Sequence, residues 1–213
     1  MKPISNNQRL SILLVTLLVS ILVPFSKQDD SLFGQFFSLL IIAAIIYVVR
    51  PLTKNRVVLR RWLQGCGYGL FLLTFLVGQG KVPVWAGYAG LSLVIAFYTS
   101  ILVLLMVHLF SKGSMNEKLL AAINFYFLTG ITFGFLYTLV GLLVPGAFSL
   151  PSSSTLDWPV FVYFSFINLT TLGYGDITPI APIAKSLVVL EATIGVLSPT
   201  VMIARFIRPT LSE

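Results

Sequence analysis

The stretch TTLGYGDITP, Thr170 to Pro179, decides how the rest of this chain is read. It sets two glycines, a tyrosine and an acid side by side in a chain that is 57% hydrophobic and 10% charged. Glycine enters left-handed backbone conformations without a Cβ clash. Gly173 and Gly175, spaced two apart, suit a backbone that alternates in handedness and so turns its carbonyl oxygens toward one axis. On that reading the oxygens of Thr171, Leu172, Gly173 and Tyr174 are rungs, and the Thr171 hydroxyl adds an oxygen at the inner end. Rings of this kind replace the water shell of a cation.

Upstream, WPVFVYFSFINLTT is apolar but too short to cross a bilayer. Asp157 suits an N-cap and Pro159 a first helical turn. The expectation is a short re-entrant helix from Trp158 to Thr170, reached through a polar, proline-rich loop from Pro145 to Pro159. Its C-terminal end carries partial negative charge, which favours a cation beyond it. Non-helical backbone at membrane depth needs protein or a water-filled cavity around it. Long apolar runs, Leu119–Val144 and Ala181–Ile207, flank the re-entry and complete a pore module.

Further out, the chain remains apolar. Soluble domains carry about 25% charged residues, so lipid is the expected solvent. Four more runs read as spans: Leu10–Val23, Leu32–Val49, Trp62–Val77 and Val84–Phe110. The expected class is an all-α membrane protein of six transmembrane helices plus a re-entrant pore helix and loop. Residues 1–114 form a four-helix region and residues 115–213 the pore domain. With the N-terminus in the cytoplasm, eleven of the 14 Lys and Arg residues fall inside. Only Lys27, Lys81 and Lys185 fall outside, the asymmetry expected of cytoplasmic loops. Both termini are then cytoplasmic, and the net charge of +7 needs no nucleic acid to explain it. The first run has a signal peptide as its alternative reading. A single cysteine, Cys66, excludes an intrachain disulfide, and the single histidine, His108, reads as an interfacial residue.

The string TTLGYGDITP resembles the potassium-channel signature Thr-x-Gly-Tyr-Gly-Asp. Thr171, Gly173, Tyr174, Gly175 and Asp176 match it individually, and Leu172 stands where the family most often has Val or Ile. From Met115 to Arg208 the pattern is similar to the bacterial ion-channel pore domain. The resemblance implies a selectivity filter at Thr171–Gly175 that passes K+ on the backbone carbonyls of Thr171, Leu172, Gly173 and Tyr174. One chain supplies one such loop and a ring takes four, so the implied unit is a homotetramer. The family's comparable acid braces the filter from behind. Asp176 is expected to do so or to concentrate cations at the outer mouth, with Tyr163 and Thr170 as supports. Tyr163 and Phe164 stand where many members have a Trp pair, and only Tyr163 has a hydroxyl to offer Asp176. Ile167 replaces an acid found in some relatives.

Gly195 lies 19 residues after Asp176, where the family carries its inner-helix hinge glycine. Pro199 removes the helical bond to the Gly195 carbonyl, and the two residues predict a hinge or a static kink. Glu191 lies inside the last run. Intramembrane acids are costly and functional by default; this one reads as a protonated brace between helices or as an ion contact. Gly65, Gly67, Gly69, Gly130, Gly134 and Gly141 read as close helix contacts.

Val84–Phe110 lacks the arginine ladder of a voltage sensor, and the five residues after Arg208 offer no ligand-gating domain. The basic segment Arg50–Arg61 serves topology, or touches anionic lipids. The expected function is passive, potassium-selective transport in the cell membrane, with K+ as permeant ion, no cofactor and no small-molecule substrate. A weakly selective cation channel and a non-conducting regulatory subunit are the alternatives. An intramembrane enzyme ranks last, for want of HExxH, GxSxG or a helical acid pair.

Overall fold

The computed structural model describes residues 5–22, 41–46, 57–78, 84–111, 113–151 and 156–206. Its elements are α1 (Asn6–Leu22), α2 (Val57–Gly78), α3 (Val84–Phe110), α4 (Met115–Leu143), β1 (Phe148–Ser149), α5 (Trp158–Leu169), β2 (Thr178–Pro179) and α6 (Pro182–Phe206). The chain divides into two units, Met1–Leu128 and Thr129–Glu213, with the division inside α4.

Among the described residues, three helical stretches are long and apolar enough to cross a bilayer: Trp85–Phe110, Met115–Leu143 and Pro182–Ala204. They coincide with the fourth, fifth and sixth runs read from the sequence. The first run is helical in α1, at 17 residues. Of the second, residues 41–46 are helical and the remainder lies outside the described residues. The third became α2, which begins at Val57, five residues earlier than its apolar run. Arg60 and Arg61 therefore sit in the first turns of a helix and not in a loop.

In the first unit α2 and α3 run antiparallel. The Trp62 indole N–H donates to the Ser100 hydroxyl at 3.1 Å near one end. Further along, a Cβ on Gly69 would meet Leu93 and one on Gly90 would meet Leu73. A Cβ on Gly67 would meet Ile46, so small residues do bring helices together there, whereas Gly65 has nothing within 4 Å. Among the described residues, the expected close contact is not formed at Gly65. The buried Asn124 amide donates to the Leu10 carbonyl at 2.9 Å and to Leu120 at 2.7 Å, tying α4 to α1. Ser114 opens α4 by accepting the Glu117 N–H at 3.3 Å, as Ser does at an N-cap. Across the same turn His108 Nε2 lies 4.0 Å from Glu117 Oε2.

The core of the second unit is aromatic. Tyr137 of α4 is fully buried, with ring centroids 5.1 Å from Phe164 and 5.7 Å from Phe148. Phe148 in turn lies 4.8 Å from Phe161. Edge-on contacts of this kind each add about 1 kcal/mol beyond burial. A short pairing, Phe148 opposite Pro179 and Ser149 opposite Thr178, joins the loop after α4 to the segment after Asp176. The Ala147 carbonyl accepts the N–H groups of Ile180 at 2.8 Å and Ala181 at 3.1 Å. Nothing in the polar loop sequence signalled this clasp.

Candidate functional site: the loop after the short helix

Helix α5 has 12 residues, Trp158–Leu169, with Asp157 at the N-cap, a proline in the first turn and Thr170 at the C-cap. Asp157 takes the N-cap position in extended conformation without a side-chain cap bond. The helix is seated tightly on α4. A Cβ on Gly134 would lie 2.7 Å from Val162 Cα, and one on Gly130 would lie 2.8 Å from the Phe166 ring.

The last carbonyls of a helix have no partner within it. Here the following loop supplies the donors. Thr170 N–H donates to Phe166, Thr171 N–H to Asn168, and Leu172 N–H to Ile167, at 3.0, 3.0 and 2.9 Å. Gly173 N–H also reaches the Ile167 carbonyl at 3.4 Å. The Thr170 hydroxyl adds a 2.6 Å bond to Phe166. The carbonyls of Phe166, Ile167 and Asn168 at the end of α5 are therefore engaged by the loop's own N–H groups.

This bonding fixes the direction of the loop carbonyls. In a planar trans peptide the C=O points opposite to the next N–H. With the Leu172 and Gly173 N–H groups turned to α5, the carbonyls of Thr171 and Leu172 point away from it. The dihedral angles continue the pattern: φ is +60° at Thr171, +55° at Gly173 and +77° at Gly175. Left-handed residues thus recur at every second position. The glycines were read this way from sequence; Thr171 was not, because a β-branched residue at positive φ is an outlier. Such strain costs of order 1–3 kcal/mol and gathers at functional sites.

Nothing lies within 4 Å of a Cβ built on Gly173 or Gly175, while Leu172 is 55% and Tyr174 67% exposed. One chain alone does not enclose this loop. Behind it the Tyr163 hydroxyl donates to Asp176 Oδ2 at 2.9 Å, so these two residues are brought together.

Glu191 of α6 is 0% exposed. Its carboxyl is bonded by the Tyr137 hydroxyl of α4 at 2.6 Å and by the Ser165 hydroxyl of α5. One acid thereby joins three helices. Enclosed within its own chain, Glu191 has no surface left for an ion. Tyr137 and Ser165 were not singled out from sequence, though both are hydroxyl groups in otherwise apolar helices.

Gly195 lies one turn further along α6, and a Cβ there would be 2.1 Å from the Leu169 carbonyl oxygen. The glycine lets α6 approach the backbone at the end of α5. Helix α6 runs through Pro199 without a break.

Residues 125–211 match the family model described as "Ion channel". The inward rectifier potassium channel Kirbac3.1 of Paramagnetospirillum magnetotacticum is 36% identical over 89 residues, 40% of this chain and 28% of that protein. The match therefore covers less than a third of that relative's length. No solved structure matches significantly. The alternating loop, the short helix behind it and the flanking apolar helices lie almost wholly within the matched residues, and it is this region that is similar to the ion-channel family and to a bacterial potassium channel.

Proposed function

We propose that the protein is a potassium-selective channel of the cell membrane, working as a homotetramer around a central axis. The observation that carries this reading is the alternation of handedness at Thr171, Gly173 and Gly175 together with the N–H groups turned back onto α5. Carbonyls on the opposite side of that loop form oxygen rings when four copies meet. The ions enter by exchanging water for these oxygens and move by knock-on between sites. No covalent step and no cofactor is involved. Asp176 stands at the outer mouth, held by Tyr163, and Thr170 closes the short helix behind the filter.

The exposed side chains support assembly. Val189, Leu190, Val196, Leu197, Val201 and Ile203 of α6 are each more than half exposed in the single chain. Lipid and neighbouring copies are the partners such a surface suits. Six spans, cytoplasmic termini and the absence of a voltage sensor complete the reading. They rest on the apolar runs, the charge asymmetry and the lack of arginine in Val84–Phe110.

Purified protein in proteoliposomes is expected to carry K+ flux that barium blocks. Under opposed K+ and Na+ gradients the reversal potential is expected to follow K+. Flux without ion preference would mark a weakly selective channel, and no flux a non-conducting subunit; either result rejects the proposal.

Pro199 offers a test of gating. Restoring its N–H with Pro199→Ala returns a helical bond to the Gly195 carbonyl and removes a penalty of about 3 kcal/mol. Single-channel recording should show an altered open probability and an unchanged K+/Na+ ratio. A changed ratio would place Pro199 in filter support instead of in the gate.

A further inference from the structure

The Glu191 carboxyl sets a proton-counting problem. The Ser165 hydroxyl oxygen lies 2.6 Å from the Gly130 carbonyl oxygen and is also in hydrogen-bond contact with Glu191 Oε1. A hydroxyl has one proton to give. The Gly130 carbonyl can only accept, and so can an ionised carboxylate. With Glu191 ionised, one of the two Ser165 contacts sets lone pair against lone pair. Glu191, Ser165 and Tyr137 are all 0% exposed. The groups bonded to the carboxyl are two neutral hydroxyls, so a negative charge there would be buried without a cation among these partners, an arrangement proteins avoid.

A protonated carboxyl removes the conflict. Its O–H at Oε1 donates to Ser165 Oγ, Ser165 donates to the Gly130 carbonyl, and the Tyr137 hydroxyl donates to Oε2. Each proton then meets one acceptor, and the chain of bonds has one direction. We propose that Glu191 is held as a neutral carboxylic acid and acts, through Ser165, as a positioning residue for α5 and the loop that follows it. This rests on the pore reading for its consequence, though not for the protonation itself.

The geometry shows why position should matter. Ser165 and Leu169 lie one turn apart on α5; Glu191 and Gly195 lie one turn apart on α6. Ser165 meets Glu191, and Leu169 meets Gly195. Two contacts in register fix how α5 lies along α6, and the left-handed run begins two residues after Leu169. The same Ser165 bond continues to Gly130, so α4 holds the helix from its other side.

The neutral acid can be told from the ionised one by substitution. In Glu191→Gln the amide N–H donates to Ser165 and the amide oxygen accepts from Tyr137, which reproduces the neutral pattern. Glu191→Leu fills similar space but leaves Tyr137 without its acceptor. The full-length wild-type protein in membranes at neutral pH is expected to show an infrared band of a protonated carboxyl that Glu191→Gln lacks. In proteoliposomes Glu191→Gln should keep K+ preference over Na+, while Glu191→Leu should lose it by about tenfold, as expected for a buried polar group left unpaired. Absence of the band, or a Glu191→Gln protein as unselective as Glu191→Leu, would overturn the proposal. Should Glu191→Leu not fold, the band and the Gln variant still decide. Should the wild type not conduct, the pore reading fails, and the band alone still decides the protonation state.

Discussion

Gly173→Ala is expected to reduce K+ flux in proteoliposomes to the level left under barium block. Gly173 has φ +55°. An alanine there places its Cβ against its own backbone, at roughly 1–2 kcal/mol per residue. Four copies meeting at one ring would raise that to roughly 4–8 kcal/mol per assembly. This is comparable to the whole stability of a small domain, about 5–15 kcal/mol. The loop escapes by leaving the left-handed region, which turns the Gly173 carbonyl out of line. The single chain offers no steric obstacle, since nothing lies within 4 Å of the built Cβ. The loss therefore comes from backbone handedness and not from a clash within the subunit. Gly175→Ala, at φ +77°, should behave alike. The protein should still fold and insert, as circular dichroism and gel filtration would show. Wild-type flux from both variants would mean that the alternation has no part in conduction.

The second large effect is expected at Gly195. A Cβ there would lie 2.1 Å from the Leu169 oxygen and 2.9 Å from its carbonyl carbon. Both are backbone atoms, so no side-chain rotation relieves them. Helices α5 and α6 must separate, and overpacking of this kind costs about 1–3 kcal/mol. The displaced residues lead directly into the left-handed run at Thr171. Gly195→Ala should therefore lower thermal stability and impair K+ preference together. A glycine serving only as a hinge makes the opposite prediction. Alanine would then stabilise the helix by about 1 kcal/mol, change open probability and leave ion preference intact. Thermal unfolding and reversal potentials measured on the same preparation separate the two roles.

The contrast between these glycines shows what could be read from the chain and what could not. The spacing of Gly173 and Gly175 carried its meaning locally, since handedness is a property of a residue and its neighbours. Gly195 had an obvious local reading as a hinge beside Pro199, and its contact with Leu169 lies 26 positions away in the sequence. A hinge and a close contact both require only the absence of a side chain, so the letter alone does not distinguish them. Thr171 was legible as an oxygen donor but not as a left-handed residue, because its branched side chain opposes that conformation. The conformation is imposed instead by bonds from the loop to Ile167 and Asn168.

The long apolar runs were legible for a simpler reason. A helix in lipid must bond its backbone internally, so length and hydropathy nearly suffice. The expected Val84–Phe110 span and α3 share the same bounds. Helix α2 shows where that logic weakens. Its first half holds Arg60, Arg61, Gln64 and two glycines, and it is not one of the three stretches among the described residues that are long and apolar enough to cross. Glu191 was visible as an anomaly, but its partners were not. Tyr137 and Ser165 are 54 and 26 residues distant. Pairing every hydroxyl in the apolar helices with every acid would have produced them as candidates, since a buried carboxyl must find donors.

In the proposed pore, four Thr171–Tyr174 backbones face one axis with a dehydrated K+ between them. Crystals of the full-length protein grown with thallium in place of potassium test this most directly, because thallium scatters anomalously where it binds. A row of anomalous peaks is expected on a fourfold axis, level with the carbonyl oxygens of Thr171 to Tyr174. An assembly without that axis, or one whose axis carries no anomalous density beside these residues, would contradict it.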